Sequence, residues 1–128
     1  MRSHLLSSEQ SAELIETAKE NIGDALRSVI YFTRSDFDQL YLRDNLERDA
    51  DVSSFVGHEW RSYRETPRAY QSSELGEYDF TARGFDNGYL LRVATDRKGV
   101  LITTDSLSLK DYENLAESLH AILTNSEQ

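Results

Sequence analysis

YDFTARGFDNGYLLRVATDRKGVLITT, residues 78–104, carries three strand signals in close order. Tyr78–Phe85 ends at Asp86-Asn87-Gly88, and Asn-Gly is the strongest short hairpin signal. Tyr89–Thr95 then reaches the turn Asp96-Arg97-Lys98-Gly99, which leads into Val100–Thr104. Leu90-Leu91 and Val100-Leu101-Ile102 put apolar side chains on both faces of their strands, so these two belong at the centre of a sheet covered twice. Short connections keep sequence neighbours adjacent in space, so the three strands form a meander.

Upstream, Ser7 or Ser8 is placed to cap a helix over residues 9–22, with Leu14, Ile15, Ala18 and Ile22 at helical spacing and Gly23 as its stop. From Leu26 the period changes. Val29-Ile30-Tyr31-Phe32 is β-branched and aromatic, Arg34-Ser35-Asp36 breaks it, and residues 37–43 alternate, giving a hairpin of strands 27–33 and 37–43. Val52, Phe55, Val56, Trp60 and Tyr63 share one face of a second helix, capped by Asp49 or Asp51, which Pro67 is expected to end or kink near Glu65. Downstream, Ser108 caps a last helix whose apolar stripe runs from Leu109 to Leu123. The order α-β-β-α-β-β-β-α predicts an α+β domain with a five-stranded antiparallel sheet in the order 2-1-5-4-3. Helices one and three cover one face and helix two covers the other.

At 128 residues the chain reads as one domain, with residues 1–7 and 125–128 as frayed tails, burying roughly two-thirds of its unfolded surface. The absence of cysteine removes disulfides, thiolate zinc sites and cysteine nucleophiles. No apolar run nears the roughly 20 residues that span a bilayer, and residues 1–10 hold no signal-peptide core, so the reading is a soluble cytoplasmic protein. Asp and Glu total 23 against 14 Lys and Arg, a net charge of −9. Lys19, Lys98 and Lys110 are the only lysines. Acidic surplus with lysine avoidance suits a surface adapted to concentrated salt, where repulsion is screened over about 3 Å at about 1 M. The same charge argues against non-specific binding to nucleic acid or an anionic membrane.

The segment order resembles the roadblock, longin and profilin-like architecture over nearly the whole chain. The stretches Ser28-Val29-Ile30-Tyr31-Phe32-Thr33-Arg34, Leu40-Tyr41-Leu42-Arg43, Ser54-Phe55-Val56-Gly57 and Asn87-Gly88-Tyr89-Leu90 resemble an uncharacterised family of small acidic haloarchaeal proteins, which implies a cell type and no mechanism. The roadblock resemblance implies a dimeric platform in signalling that contacts a small GTPase or another regulator and has no catalysis of its own.

The residues add no catalytic set. His4, His58 and His120 lie on separate segments, and His58-Glu59 lacks the second histidine of a zinc-protease helix. No Gly-x-Ser-x-Gly elbow or phosphate-binding glycine loop occurs, and acids such as Asp49 and Asp51 read as solvated rather than metal-binding. No cofactor, metal or enzymatic activity is expected, and a winged-helix DNA-binding role lacks its basic face.

Two features rise above that background. Arg61, Arg64 and Arg68, at i, i+3 and i+7 beside the apolar face of helix two, can grip a carboxylate-rich partner or a phosphate, or else pair internally with Glu59, Glu65 or acids of a neighbouring strand. The aromatic set Phe55, Trp60, Tyr63, Tyr78 and Phe80 is expected to stay partly outside the monomer core, because one helix cannot cover five strands spanning about 20 Å. The expected result is a two-fold homodimer in which strands 78–85 pair edge to edge and the second helices pack together. The rival reading is a small-molecule sensor with a pocket between helix two and the sheet, lined by Tyr31, Tyr41, Trp60 and Tyr89.

Overall fold

Local caps set the helix boundaries. The Ser7 hydroxyl accepts from the Gln10 amide at 3.1 Å while the Gln10 side chain accepts from the Ser7 amide at 2.9 Å, which starts α1 (Ser8–Ile22). Gly23, at φ 57°, ends it. Ser108 and Asp111 cap α3 (Leu109–Asn125) in the same reciprocal way, at 3.1 and 3.4 Å. A computed structural model describes residues 6–44, 52–95 and 97–125, and the side chains of residues 52–55 fall outside that description. The expected caps Asp49 and Asp51 of α2 (Val52–Ala69) lie outside the described residues.

Five antiparallel strands, β1 (Leu26–Thr33), β2 (Phe37–Leu42), β3 (Thr81–Phe85), β4 (Gly88–Ala94) and β5 (Lys98–Thr104), pair in the order β2-β1-β5-β4-β3. The alternation of β1, β4 and β5 divides the interior into two layers. Val29, Tyr31, Leu91, Val93, Val100 and Ile102 face α1 and α3, packing on Leu14, Ala18, Leu115 and Leu119. Ile30, Phe32, Leu90, Ala94 and Leu101 face α2, packing on Val56 and Trp60. The α+β architecture, the strand order and the helix distribution are those the periodicity dictates.

Three local expectations need correction. The helix α2 runs through Pro67 to Ala69. The missing amide falls in the last turn, where only one intrahelical bond depends on it, and the Tyr70 amide still reaches the Thr66 carbonyl at 3.3 Å. Strand β3 starts at Thr81 rather than Tyr78, because Tyr78 leaves the ladder to place its hydroxyl 2.6 Å from Thr81 Oγ1. The β3–β4 hairpin joins the paired residues Phe85 and Gly88 through Asp86-Asn87. Gly88 does not supply a positive φ; a Cβ there would strike the Thr104 carbonyl oxygen on β5.

A bulge between Leu26 and Ser28 in the β1–β5 pairing leaves Arg27 out of register, beside Arg43 and Asp105. Asp105 accepts two hydrogen bonds from Arg43, at 2.8 and 3.1 Å, and one from Arg27 at 3.2 Å. The hydrogen-bonded Arg43 guanidinium holds the Asp105 carboxyl below its ordinary range. A depressed carboxylate adds stability that is complete above its unfolded pKa, about 4, and fades as pH falls through the folded value. Urea midpoints of the protein and of Asp105→Asn are therefore expected to differ at pH 6 and to converge below about pH 4.

Candidate functional site

The alternation of β4 that sends Leu90 and Ala94 toward α2 sends Arg92 there as well, and that guanidinium is fully buried. Its Nη1 donates to the Glu59 carbonyl and to Glu59 Oε1, each at 2.9 Å. Its Nη2 donates to the Tyr78 hydroxyl at 3.0 Å and to Thr81 Oγ1 at 2.6 Å. Glu59, 2% exposed, also accepts from Arg83 Nε at 2.7 Å, and Arg83 Nη2 donates to Ser62 Oγ at 3.2 Å. One carboxylate thus holds two arginines, two hydroxyls take the Arg92 Nη2 hydrogens, and Arg92 Nε is buried without a hydrogen-bond partner among the described residues. Strand β3 supplies no side chain to either buried cluster. This polar node fastens it to α2.

The node fixes which flank of α2 faces the sheet edge. At 100° per residue, Glu59, Ser62 and Thr66 lie over β3, and Arg61, Arg64 and Arg68 lie about 160° round the helix from them. All three stripe arginines are exposed, and among the described residues none forms an ion pair. Of the expected internal partners, Glu59 is taken by Arg83 and Arg92, and Glu65 forms no ion pair among the described residues. By contrast, Arg27, Arg43, Arg83 and Arg92, on the sheet and at its ends, are each neutralised by an acid.

The aromatic set does not form one surface. Trp60, expected to stay outside the core, is 8% exposed. Its ring meets Phe32 edge-on at 5.7 Å and stacks on Tyr63 at 5.7 Å. Apolar side chains of the sheet close over it, so it finishes the core. Tyr63 and Tyr78 are half-buried, with ring centroids 6.2 Å apart. Phe80 packs on the α1/α3 cluster, on the opposite face from Trp60. The Phe55 side chain is outside the described residues. The pocket expected from Tyr31, Tyr41, Trp60 and Tyr89 does not form, because the three tyrosines belong to the α1/α3 layer and Trp60 to the α2 layer.

The exposed apolar surface lies elsewhere. Phe85, at the end of β3, is 63% exposed and borders an open groove of about 960 Å³ whose lining includes His58, Arg83, Leu90 and Thr103. This groove lies on the α2 face, alongside β3. A second open groove, of about 780 Å³, lies at the other end of α2 between Tyr63, Tyr70, Tyr78 and Arg68 and, from α3, His120 and Thr124. Among the described residues no group of three His, Asp or Glu could hold a metal ion, and no helix is long and apolar enough to cross a membrane.

Glu59, Arg83 and Arg92 were not singled out from the sequence. The available signal was a lone arginine in the otherwise apolar run Tyr89–Ala94: a charge on a strand covered twice needs a buried counter-charge.

Solved structures with this arrangement include MglB in a tetrameric arrangement, with a TM-score of 0.67 at 12% identity over 98% of both chains. The gliding protein MglB from Thermus thermophilus gives 0.64 at 12% identity, and MglB of Myxococcus xanthus gives 0.63 at 11%, again over 98% of both chains. At such identities the likeness speaks for the fold alone. No curated protein sequence matches the chain. A family model described as a domain of unknown function, DUF7522, matches residues 12–124, nearly the whole described fold, and the chain belongs to that family.

Proposed function

We propose that the protein is a non-enzymatic regulatory or scaffold module of the cytoplasm that works as a homodimer and binds a regulator, a small GTPase being the partner its roadblock-like fold suggests. The observation that carries this reading is the β3 edge. Arg83, the one charged residue of β3, is drawn inward to Glu59, so the edge keeps no charge to repel a second strand. Exposed Phe85 and the groove beside it add apolar surface at the same place.

Antiparallel pairing of two β3 edges makes one continuous sheet and brings the two α2 helices together along their Ser62 and Thr66 flanks. The arginine flanks then face away from the two-fold axis. In this reading Phe85 and Tyr63 belong to the homodimer seam and its margin, while Arg61, Arg64 and Arg68 form a separate surface for an acidic partner. Trp60 is withdrawn from both.

Light scattering at micromolar concentration in molar salt is expected to give twice the 14.7 kDa chain mass. Phe85→Glu, which adds a charge at an already exposed position, is expected to give a folded monomer. A monomeric parent protein would end the reading. The rival sensor reading now rests on the groove of about 780 Å³ with its three tyrosines; thermal stabilisation by a metabolite, lost in Tyr70→Ala, would favour it.

A further inference from the structure

The outward face of α1 carries a second charge row. Glu9, Glu13, Glu16 and Glu20 recur at i, i+4, i+7 and i+11, on the side opposite the buried Leu14 and Ala18. All four are exposed, and among the described residues none is in an ion pair. The basic residue of this helix, Lys19, lies 4.7 Å from the ring centroid of Tyr41, off the row. Like charges one turn apart repel, so an uncompensated row of four works against its own helix.

Its spacing matches the arginines. Arg61, Arg64 and Arg68 step by three and then four residues, as do Glu13, Glu16 and Glu20 in one direction and Glu16, Glu13 and Glu9 in the other. Each trio spans about 10 Å at 1.5 Å per residue. Within one protomer the rows cannot meet, because α1 and α2 lie on opposite faces of the sheet. On α3 the outward Glu113 and Glu117 follow Lys110 and precede His120, which gives a shorter and mixed-sign row.

We propose that the acidic row of α1 in one copy docks on the arginine row of α2 in another, stacking protomers face to back through a ladder of arginine–carboxylate pairs. The contact joins two different surfaces, so it extends rather than closes, and it can link β3-paired dimers into larger assemblies. It rests on the reading of the arginine flank as a contact surface and does not need the β3 seam. Exposed ion pairs weaken with salt, so stacking belongs to low ionic strength, while β3 pairing persists at high salt.

Sedimentation of the full chain, as NaCl is lowered from about 1 M to about 0.1 M, reads the contact directly, because the screening length grows from about 3 to about 10 Å. The protein is expected to move from dimer to larger species. Arg61→Glu with Arg64→Glu, and separately Glu13→Arg with Glu16→Arg, are each expected to weaken this step at least ten-fold while leaving the circular dichroism unchanged. An equal mixture of the two variants is expected to restore it, since each altered row then meets the other altered row. In Phe85→Glu the same salt-dependent step is expected to start from monomer, which separates failure of the stacking from failure of the β3 seam. The proposal is overturned if mass does not depend on salt. It is equally overturned if only the arginine variant loses assembly, or if the arginine variant loses binding to an oligonucleotide while the mass stays unchanged.

Discussion

Replacing Glu59 with glutamine is expected to lower the free energy of unfolding by about 3–5 kcal/mol, the range for removing one partner of a buried ion pair. Among the described residues the carboxylate is the single counter-charge for Arg92, which is fully buried, and for Arg83, whose side chain is one-third exposed. Glutamine keeps the shape and an acceptor for Arg92, but it turns an amide group toward Arg83 and leaves two guanidinium charges uncompensated. Urea unfolding followed by circular dichroism should show a lower midpoint at an unchanged slope. Combining Glu59→Leu with Arg92→Met should recover most of the loss, because it removes the desolvated pair as a whole and Arg83 can turn to water. A single replacement that costs less than about 1 kcal/mol would mean that solvent already reaches the node.

The second large effect expected is a loss of about 3–5 kcal/mol on Trp60→Ala, the cost of truncating a core aromatic. Trp60 lies between Phe32 and Tyr63 in the layer under α2, so the lost energy is internal to the protomer. Denaturation at two protein concentrations a hundred-fold apart should show the same difference between parent and variant at both. A difference present only where the dimer is populated would place Trp60 in the seam after all.

The architecture was legible because its signals are redundant. Leu90-Leu91 and Val100-Leu101-Ile102 could be satisfied only by two covered central strands, and that fixed the strand order. The site was legible only in part. Arg61, Arg64 and Arg68 stand out by spacing and lie where helical periodicity puts them. Their distance from the β3 edge could not be read, because it depends on how α2 rotates over the sheet, and a long-range pair, Glu59 with Arg92, sets that rotation. The grouping of Trp60 with Phe80 failed for a similar reason: residue type does not say to which face of a sheet an aromatic outside the ladder will turn. Pro67 ends a helix when its missing donor falls mid-helix, and two residues from the terminus that penalty shrinks to one bond.

The central claim is that two copies join through the outer edge of β3. Hydrogen exchange of backbone amides, measured above and below the concentration at which the protein dissociates, tests it most directly. Slowed exchange confined to residues 81–85 and to the Ser62 flank of α2 on association, with the other free edge at β2 unaffected, is the predicted result. Slowed exchange along Phe37–Leu42, or doubling of mass with no change at β3, would contradict it.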